Sequence, residues 1–412
     1  MTAYSIDLYR DVVGDPVVDQ LRRLGERLQD VRIVHVNSTR EGGGVAEILN
    51  WMVPLMNDLG LNATWEVIEG NGDFFTVTKS IHNGLQGYPV TLHKKDWDVY
   101  EAVNNNNIER LAPLLGDADV VIIHDPQPAA LLKHMARRRG MWIWRAHIDI
   151  SRPHHPVWKA LKPFVQEFDA GIFSLNSFAQ VLPHEQFIIA PSIDPLSEKN
   201  MPLDKKFISG VAREFNLDQT RPLIVQISRF DRFKDPIGVI EAYRMVRRVN
   251  PVQLVLAGSG ATDDPEGKEI FDEVMEAADN DPDIHVLLLP PDAHRQINAL
   301  QRLADIVIQK STKEGFGLTV TEGLWKGKPV IGGDVGGIRL QVISHYTGYL
   351  VNSPEGAAHR IRYLLHHRAK MREMGKTARE FVRENFLLTR QIREYLTLFL
   401  YLLKDRGHSV FV

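Results

Sequence analysis

Short apolar runs alternate with longer amphipathic or charged stretches along most of the chain. Runs that are apolar on both faces are typical of strands buried in a parallel sheet, and helical stretches between them supply the crossovers. The pattern therefore predicts an α/β fold built from doubly wound parallel sheets. The predicted strands share this apolar character and lie at 31–37, 64–68, 118–124, 141–147, 171–175, 186–190, 222–228, 253–258, 284–289, 306–308 and 329–331.

A polar, irregular segment at 191–206 separates these strands into two series. A chain of 412 residues is long enough for two or three domains. We therefore predict an N-terminal Rossmann-like domain over 1–200 and a C-terminal one over 201–386. Two such halves create a cleft between them, which is a favoured place for a small-molecule site.

Composition narrows the function classes. The formal net charge is −3 and no long basic run occurs, so a nucleic-acid partner is not expected. The absence of cysteine excludes disulfides, thiolate metal sites and a cysteine nucleophile. The first residues show no signal-peptide pattern, and the apolar run at 395–403 is far below the ~20 residues that a membrane span needs. These features predict a cytoplasmic protein with a buried C-terminal helix.

Two glutamates, Glu314 and Glu322, stand on either side of a glycine turn, Gly315-Phe316-Gly317. A short buried-strand pattern at 305–310 precedes the turn, and an apolar helical pattern follows it. A helix beginning near Gly317 would direct unpaired N–H groups toward the turn and create an anion site. The spacing of the glutamates alone is common on solvated helix faces, so the glycines and the other motifs carry the interpretation.

Two further motifs suit an anionic ligand. Arg229 and Lys234 follow the first strand of the second series and can converge on one diphosphate, with Arg as a bidentate donor and Lys as a compact charge. In the first half, Gly42, Gly43 and Gly44 lie between a strand and a helix, where bare backbone lets an anion approach. The alternatives are an exposed basic loop and a surface turn.

Together these motifs resemble those of the retaining GT-B glycosyltransferases, in the glycogen-synthase-like and sucrose-synthase-like group. Residues 314–322 are similar to the E-x7-E motif, and 228–235 to the G-R-x4-K-G element, with Ser228 and Asp235 in place of the two glycines. The resemblance implies two Rossmann-like domains facing a central cleft. It also implies that the C-terminal helix, about 387–412, packs back on the first domain.

The resemblance further implies roles for individual residues. Arg229 and Lys234 would stabilise the leaving diphosphate, and Glu314 would hold the donor hydroxyls and orient the sugar. His147 would bind near the donor C6 hydroxyl, and Glu322 would bind the ribose. Gly315 and Phe316 would line the donor sugar. The remaining nucleotide or phosphate contacts would be Gly43, Gly44, Gly258, Leu289, Gly317, Leu318 and Thr319.

Two polar stretches after strands of the first half, 124–128 and 147–155, resemble the trehalose branch of this family. The resemblance implies a retaining hexosyltransferase that makes α,α-trehalose from NDP-glucose (UDP or ADP) and free glucose, reversibly. The alternatives are a retaining trehalose phosphorylase, a sucrose-type or other transferase with a different acceptor, an NDP-sugar epimerase and a non-catalytic NDP-sugar sensor. The candidate acceptor residues are His124, Asp125, Gln127, Asp149 and Arg152, beside an aromatic wall of Trp144 and Trp158.

His147, Asp149, His154 and His155 could instead hold a metal, but their spacing matches no recognised zinc pattern. We therefore predict no protein-bound metal and no required cofactor. Mg²⁺ would stimulate through the nucleotide diphosphate, since that ion binds phosphate with few protein ligands. The pattern leaves open the preferred nucleotide, the oligomeric state (a homodimer included) and a catalytic base, for which Asp149 is a candidate.

Overall fold

A computed structural model of the protein describes residues 4–41, 43–259 and 265–404. The chain forms two compact units. The first contains the residues up to Ser192 and those from Leu388 onward, and the second is Ile193–Leu387. The division therefore falls after Ser192, inside the polar segment and before the predicted boundary at residue 200.

Within the described residues of the first unit, six parallel strands form the sheet, in the order β2-β1-β3-β4-β5-β6. Every residue of β3 is buried, because helices cover both faces of the sheet. The strands are β1 (Arg32–Asn37), β2 (Asn62–Val67), β3 (Val120–His124), β4 (Met141–Ala146), β5 (Ala170–Phe173) and β6 (Glu185–Ile188). The helices are α1 (Arg10–Val13), α2 (Asp15–Glu26), α3 (Gly44–Asp58), α4 (Gly72–Leu85), α5 (Lys94–Asp117) and α6 (His155–Val165).

The second unit repeats this architecture with the strand order β12-β11-β10-β7-β8-β9. Its strands are β7 (Leu223–Ile227), β8 (Gln253–Ser259), β9 (Ile284–Leu289), β10 (Ile306–Gln309), β11 (Val330–Gly333) and β12 (Gly348–Val351). Its helices are α7 (Lys205–Glu214), α8 (Pro236–Arg247), α9 (Pro265–Ala278), α10 (His294–Leu303), α11 (Leu318–Trp325), α12 (Ile338–Gln341), α13 (Pro354–His366) and α14 (Arg368–Asn385).

The last helix, α15 (Leu388–Leu403), belongs to the first unit and packs against α2 and α3. Its buried side chains recur at helical spacing and include Ile392, Leu396 and Phe399. Arg390 ties its start to the first unit by donating to the carbonyls of Ala190 and Pro191. Within the part of the chain that the structure describes, no helix is long and apolar enough to cross a membrane.

Two local expectations from the sequence are wrong. An asparagine run is typical of a turn, but residues 104–107 lie inside α5, where tertiary hydrogen bonds support them. The buried amide of Asn104 donates to the Gln127 carbonyl, and that of Asn107 donates to the Glu69 carbonyl. Strand β12 was not predicted. It begins at Gly348, where a side chain would lie 2.0 Å from the Val330 oxygen.

Candidate active site

The second sheet places two of the predicted catalytic residues together. Strands β7 and β10 are neighbours, and the strand order reverses between them. In open α/β sheets, ligands bind beyond the carboxyl ends of the strands at such a point. The loop after β7 carries Lys234 and the loop after β10 carries Glu314. Nζ of Lys234 lies 2.7 Å from Oε2 of Glu314, although the two residues are 80 positions apart.

The Lys234–Glu314 ion pair is largely shielded from solvent, with side chains 18% and 10% exposed. Low exposure strengthens the attraction between the charges. Ser311 also donates its hydroxyl to Oε2 of Glu314. Arg229 is different, because its side chain is 61% exposed and pairs with Asp231 at 3.6 Å. The structure therefore does not bring Arg229 into the pair.

Asp235 accounts for one of the departures from the family motif. It adopts a left-handed backbone conformation, with φ of +50°, which aspartate tolerates better than most residues. Its side chain accepts from the Gly238 amide and caps α8, and it also forms an ion pair with Lys310. These two contacts stabilise a turn that glycine would otherwise make.

The turn before α11 depends on residues that the sequence interpretation missed. Gly317 has φ of +87° and precedes the first helical residue, Leu318. A side chain on Gly336 would lie 1.7 Å from the backbone carbonyl oxygen of Glu314. The side-chain amide of Gln341 donates to the Phe316 carbonyl at 2.6 Å. Adjacent glycines are typical of turns, but here Gly336 and Gly337 let their segment pack against the Glu314 loop.

The other predicted nucleotide residues lie on neighbouring elements of the second unit. Glu322 lies inside α11, is almost fully buried and accepts from the Gln301 amide at 3.2 Å. Leu289 ends β9 and is buried. Gly258 is required by packing, because a side chain there would lie 1.9 Å from the Ser228 oxygen. Gly260, two residues further along the chain, lies outside the described residues.

In the first unit, the strand order reverses between β1 and β3. Gly43 precedes α3 with φ of +81°, and Gly44 is the first residue of that helix. A side chain on Gly43 would meet nothing within 4 Å, so open space surrounds this backbone. Upstream of this turn, the guanidinium of Arg40 stacks on the Trp65 ring and donates to the backbone carbonyl of Trp65. Gly42 is outside the described residues.

Three histidine rings form a hydrogen-bonded row across β1, β3 and the end of β4. Nδ1 of His35 lies 3.0 Å from Nε2 of His124, and Nδ1 of His124 lies 2.9 Å from Nε2 of His147. Burial lowers the pKa of all three rings, that of His35 to about 3. The neighbouring Arg145 guanidinium lowers the pKa of His124 and His147 further. The row is therefore neutral near pH 7.

His35 was missed as a site residue because it sits within the apolar run of β1. The signal in the sequence is a titratable residue with a valine on each side, in a strand whose residues after Arg32 are all buried. The three strands are adjacent in the sheet, and their register sets His35 next to the strand that ends in His124. A single apolar run does not reveal this partner.

Asp125 supports His147 from the neighbouring strand end. Its backbone is in the left-handed region, with φ of +64°, and its Oδ1 accepts from the His147 amide at 2.8 Å. Burial raises the pKa of the Asp125 carboxyl to about 6, although that hydrogen bond opposes the rise. Trp144 is fully buried, stacks on Trp158 and donates to the Asp125 carbonyl. The expected aromatic acceptor wall is therefore wrong for Trp144, which belongs to the core.

The other acceptor candidates take different positions. Oδ1 of Asp149 accepts from both the amide and the hydroxyl of Ser151, which forms a local turn. Arg152 is exposed, and Gln127 is partly buried near the end of β3. Among the residues described by the structure, no group of three or more His, Asp or Glu side chains could hold a metal ion.

Comparison with known proteins identifies the family. Residues 35–180 match the family described as the N-terminal domain of trehalose synthase, and 211–381 match glycosyl transferases group 1. The trehalose synthase of Thermococcus litoralis is 46% identical over 395 residues, which cover 95% of each chain. The trehalose phosphorylase of Grifola frondosa is 32% identical over 86% of this chain and 55% of its own. The sucrose-phosphate synthase structure from Thermosynechococcus elongatus superposes with a TM-score of 0.71, at 16% identity, over 91% of this chain and 99% of that one.

Two Rossmann-like units with parallel sheets match the GT-B fold of the sucrose-phosphate synthase structure, so the prediction of two doubly wound domains is confirmed. The extent of the sequence match goes further. The chain belongs to the trehalose synthase family, and it is a trehalose-related hexosyltransferase.

Proposed function

We propose that the protein is a retaining glucosyltransferase that makes α,α-trehalose from NDP-glucose and free glucose, reversibly. The Lys234–Glu314 pair at the reversal point of the second sheet carries this proposal. The similarity to trehalose synthases supports it, because that match extends over nearly the full length of both chains. By contrast, this chain spans about half the length of the phosphorylase it resembles.

The proposed chemistry follows from charge. Breaking the bond between glucose and phosphate places negative charge on the leaving diphosphate. Lys234 would stabilise that charge, and the exposed Arg229 is free to turn toward it. The N-terminus of α11, at Leu318 and Thr319, would contribute backbone N–H groups. Glu314, already held by Lys234, would bind the donor hydroxyls.

The remaining nucleotide contacts follow the family pattern. Glu322 would bind the ribose, and its burial beside Gln301 would fix the orientation of its carboxylate. Mg²⁺ would act through the nucleotide phosphates, since the described residues offer no metal cluster. The other assigned contacts are Gly43, Gly44, Gly258, Leu289, Gly315, Phe316 and Gly317.

His147, in the first unit, would bind the C6 hydroxyl of the donor glucose. We assign the acceptor proton to a leaving phosphate oxygen, since Asp149 is held in a turn by Ser151. Asp125 would position His147 through its backbone amide. The acceptor glucose would contact the polar residues that follow β3 and β4. They are Asp125, Gln127, Asp149 and Arg152, with His124 at the end of β3.

Two variants test the site. Lys234→Met should lower kcat with UDP-glucose or ADP-glucose about 100-fold or more, because the charge on the leaving group loses its partner. Glu322→Gln should mainly weaken nucleotide binding, by about tenfold, because a charge-assisted hydrogen bond becomes a neutral one. Lys370→Met, at a surface lysine of α14, is the matched control. Wild-type kinetics and nucleotide affinity in both site variants would contradict the assignment.

Activity assays on the unmodified protein distinguish a synthase from a phosphorylase. A synthase releases NDP from NDP-glucose in the presence of glucose and binds nucleotide tightly. Conversion of trehalose and inorganic phosphate to glucose 1-phosphate, without any nucleotide, would replace the proposal by the phosphorylase.

A further inference from the structure

The histidine row has two different ends. Nε2 of His35 is buried and has no hydrogen-bond partner within the described residues. At the other end, residue His147 is partly exposed, and the structure assigns no partner to its Nδ1 among those same residues. The row therefore runs from the closed interior of the first sheet to the surface at its carboxyl edge.

The two ring contacts restrict the positions of the protons. A neutral imidazole carries one N–H, so His124 can donate to only one neighbour and must accept from the other. Both hydrogen bonds therefore point the same way along the row. In one arrangement every Nδ1 carries the proton. In the other every Nε2 carries it.

The buried end favours the first arrangement. If the Nε2 atoms were protonated, His35 would bury an N–H group without an acceptor. Buried N–H groups without partners are rarer in folded proteins than buried acceptors without donors. With protons on Nδ1, His35 donates to His124, His124 donates to His147, and only a ring lone pair is left unpaired. The Tyr395 ring, which lies edge-on to His35, is not a strong acceptor.

We propose that His35 and His124 are positioning residues that fix His147 in the Nδ1–H tautomer, so that His147 presents a hydrogen-bond donor to the donor sugar. This inference rests on the proposed function, which places His147 at the C6 hydroxyl. An Nδ1–H group fixed in this way donates a hydrogen bond to the oxygen of the C6 hydroxyl. It cannot accept the proton of the attacking sugar. It also discriminates against a donor sugar that lacks the hydroxymethyl group.

The tautomer can be measured without substrate. Full-length protein labelled with ¹⁵N-histidine, examined by long-range ¹H–¹⁵N correlation at pH 7.5, should show protonated Nδ1 and bare Nε2 for all three residues. Signals are assigned with the single variants His35→Asn and His124→Asn. Protonated Nε2 in His124 and His147 would overturn the proposal.

Kinetics test the consequence for the sugar. His124→Phe removes the donor to His147, whereas His124→Asn places an amide near the position of Nδ1. The preference in kcat/KM for NDP-glucose over NDP-xylose should fall about tenfold in His124→Phe and recover largely in His124→Asn. In the ¹⁵N spectrum of His124→Phe, His147 should show both tautomers.

Retention of the full preference in His124→Phe would overturn the positioning role. A third outcome separates this inference from the function on which it rests. If the Nδ1–H tautomer is present but the wild-type enzyme does not prefer glucose over xylose, the contact with the C6 hydroxyl is wrong. Failure to use any NDP-sugar would instead refute the proposed function and leave the tautomer result intact.

Discussion

Acid should destabilise the first unit through its buried histidine row, and His35 allows the effect to be calculated. Burial lowers the pKa of this ring from 6.5 to about 3. The folded unit therefore keeps His35 neutral, whereas the unfolded chain binds a proton below pH 6.5. Because the folded pKa is lowered, the stabilising contribution is complete above pH 6.5 and is lost as the pH falls toward 3.

Each pH unit in this window removes about 1.4 kcal/mol, so lowering the pH from 7.5 to 5.0 should cost about 2 kcal/mol from His35 alone. The lowered pKa values of His124 and His147 act in the same direction. Asp125 acts in the opposite direction, because its raised pKa stabilises the fold at low pH and this contribution is lost as the pH rises through about 6. Comparing the wild type with a single variant cancels the part of these contributions that does not depend on His35.

The assay is urea unfolding of the wild type and His35→Asn at pH 7.5 and pH 5.0. Tryptophan fluorescence reports mainly the first unit, since every tryptophan except Trp325 lies there. The destabilisation caused by the substitution should shrink by about 2 kcal/mol at the lower pH, because the variant no longer has a histidine to protonate on unfolding. His366→Asn, at an exposed position of α13, controls for loss of an imidazole. An equal difference at both pH values would refute the reasoning.

Two further substitutions test the loops around the active site. Gly336→Ala should lower the free energy of unfolding by about 2–3 kcal/mol and reduce kcat, because φ is +42° and the new carbon would collide with the backbone carbonyl oxygen of Glu314. Gly356→Ala is the control, because that position has space for a methyl group. Equal effects of the two substitutions in urea titration and initial rates would contradict this prediction. Asp235→Gly should cost about 1–3 kcal/mol, because α8 loses its cap and the buried Lys310 loses its counter-charge. Unchanged unfolding in urea would show that neither contact matters.

The sequence predicts the fold well because burial on both faces leaves a direct mark on each strand. Strand β5, in which every residue is buried, is apolar throughout. The exceptions follow from tertiary contacts. Strand β12 depends on the close approach of Gly348 to β11, and the amides of Asn104 and Asn107 find acceptors far away in sequence. Such partners are set by the packing of distant segments and leave no local pattern.

The candidate site shows the same limit. The motif around Glu314 and Lys234 could be read from the chain because its residues lie at the ends of strands. Their pairing could be expected once β7 and β10 were neighbours. The contribution of His35 could not be expected from the sequence, because it depends on the register between β1 and β3. Trp144 was misplaced for a related reason, since an aromatic residue in a strand can face either the core or a ligand.

Identification of the reaction product decides whether the protein joins two glucose units into trehalose. The full-length protein is incubated with free glucose and, in separate reactions, UDP-, ADP- or GDP-glucose, and the products are followed by NMR while NDP is quantified. The account predicts a non-reducing α,α-linked glucose dimer formed in step with NDP. Release of NDP with a different disaccharide, or with inversion at the anomeric carbon, would contradict it.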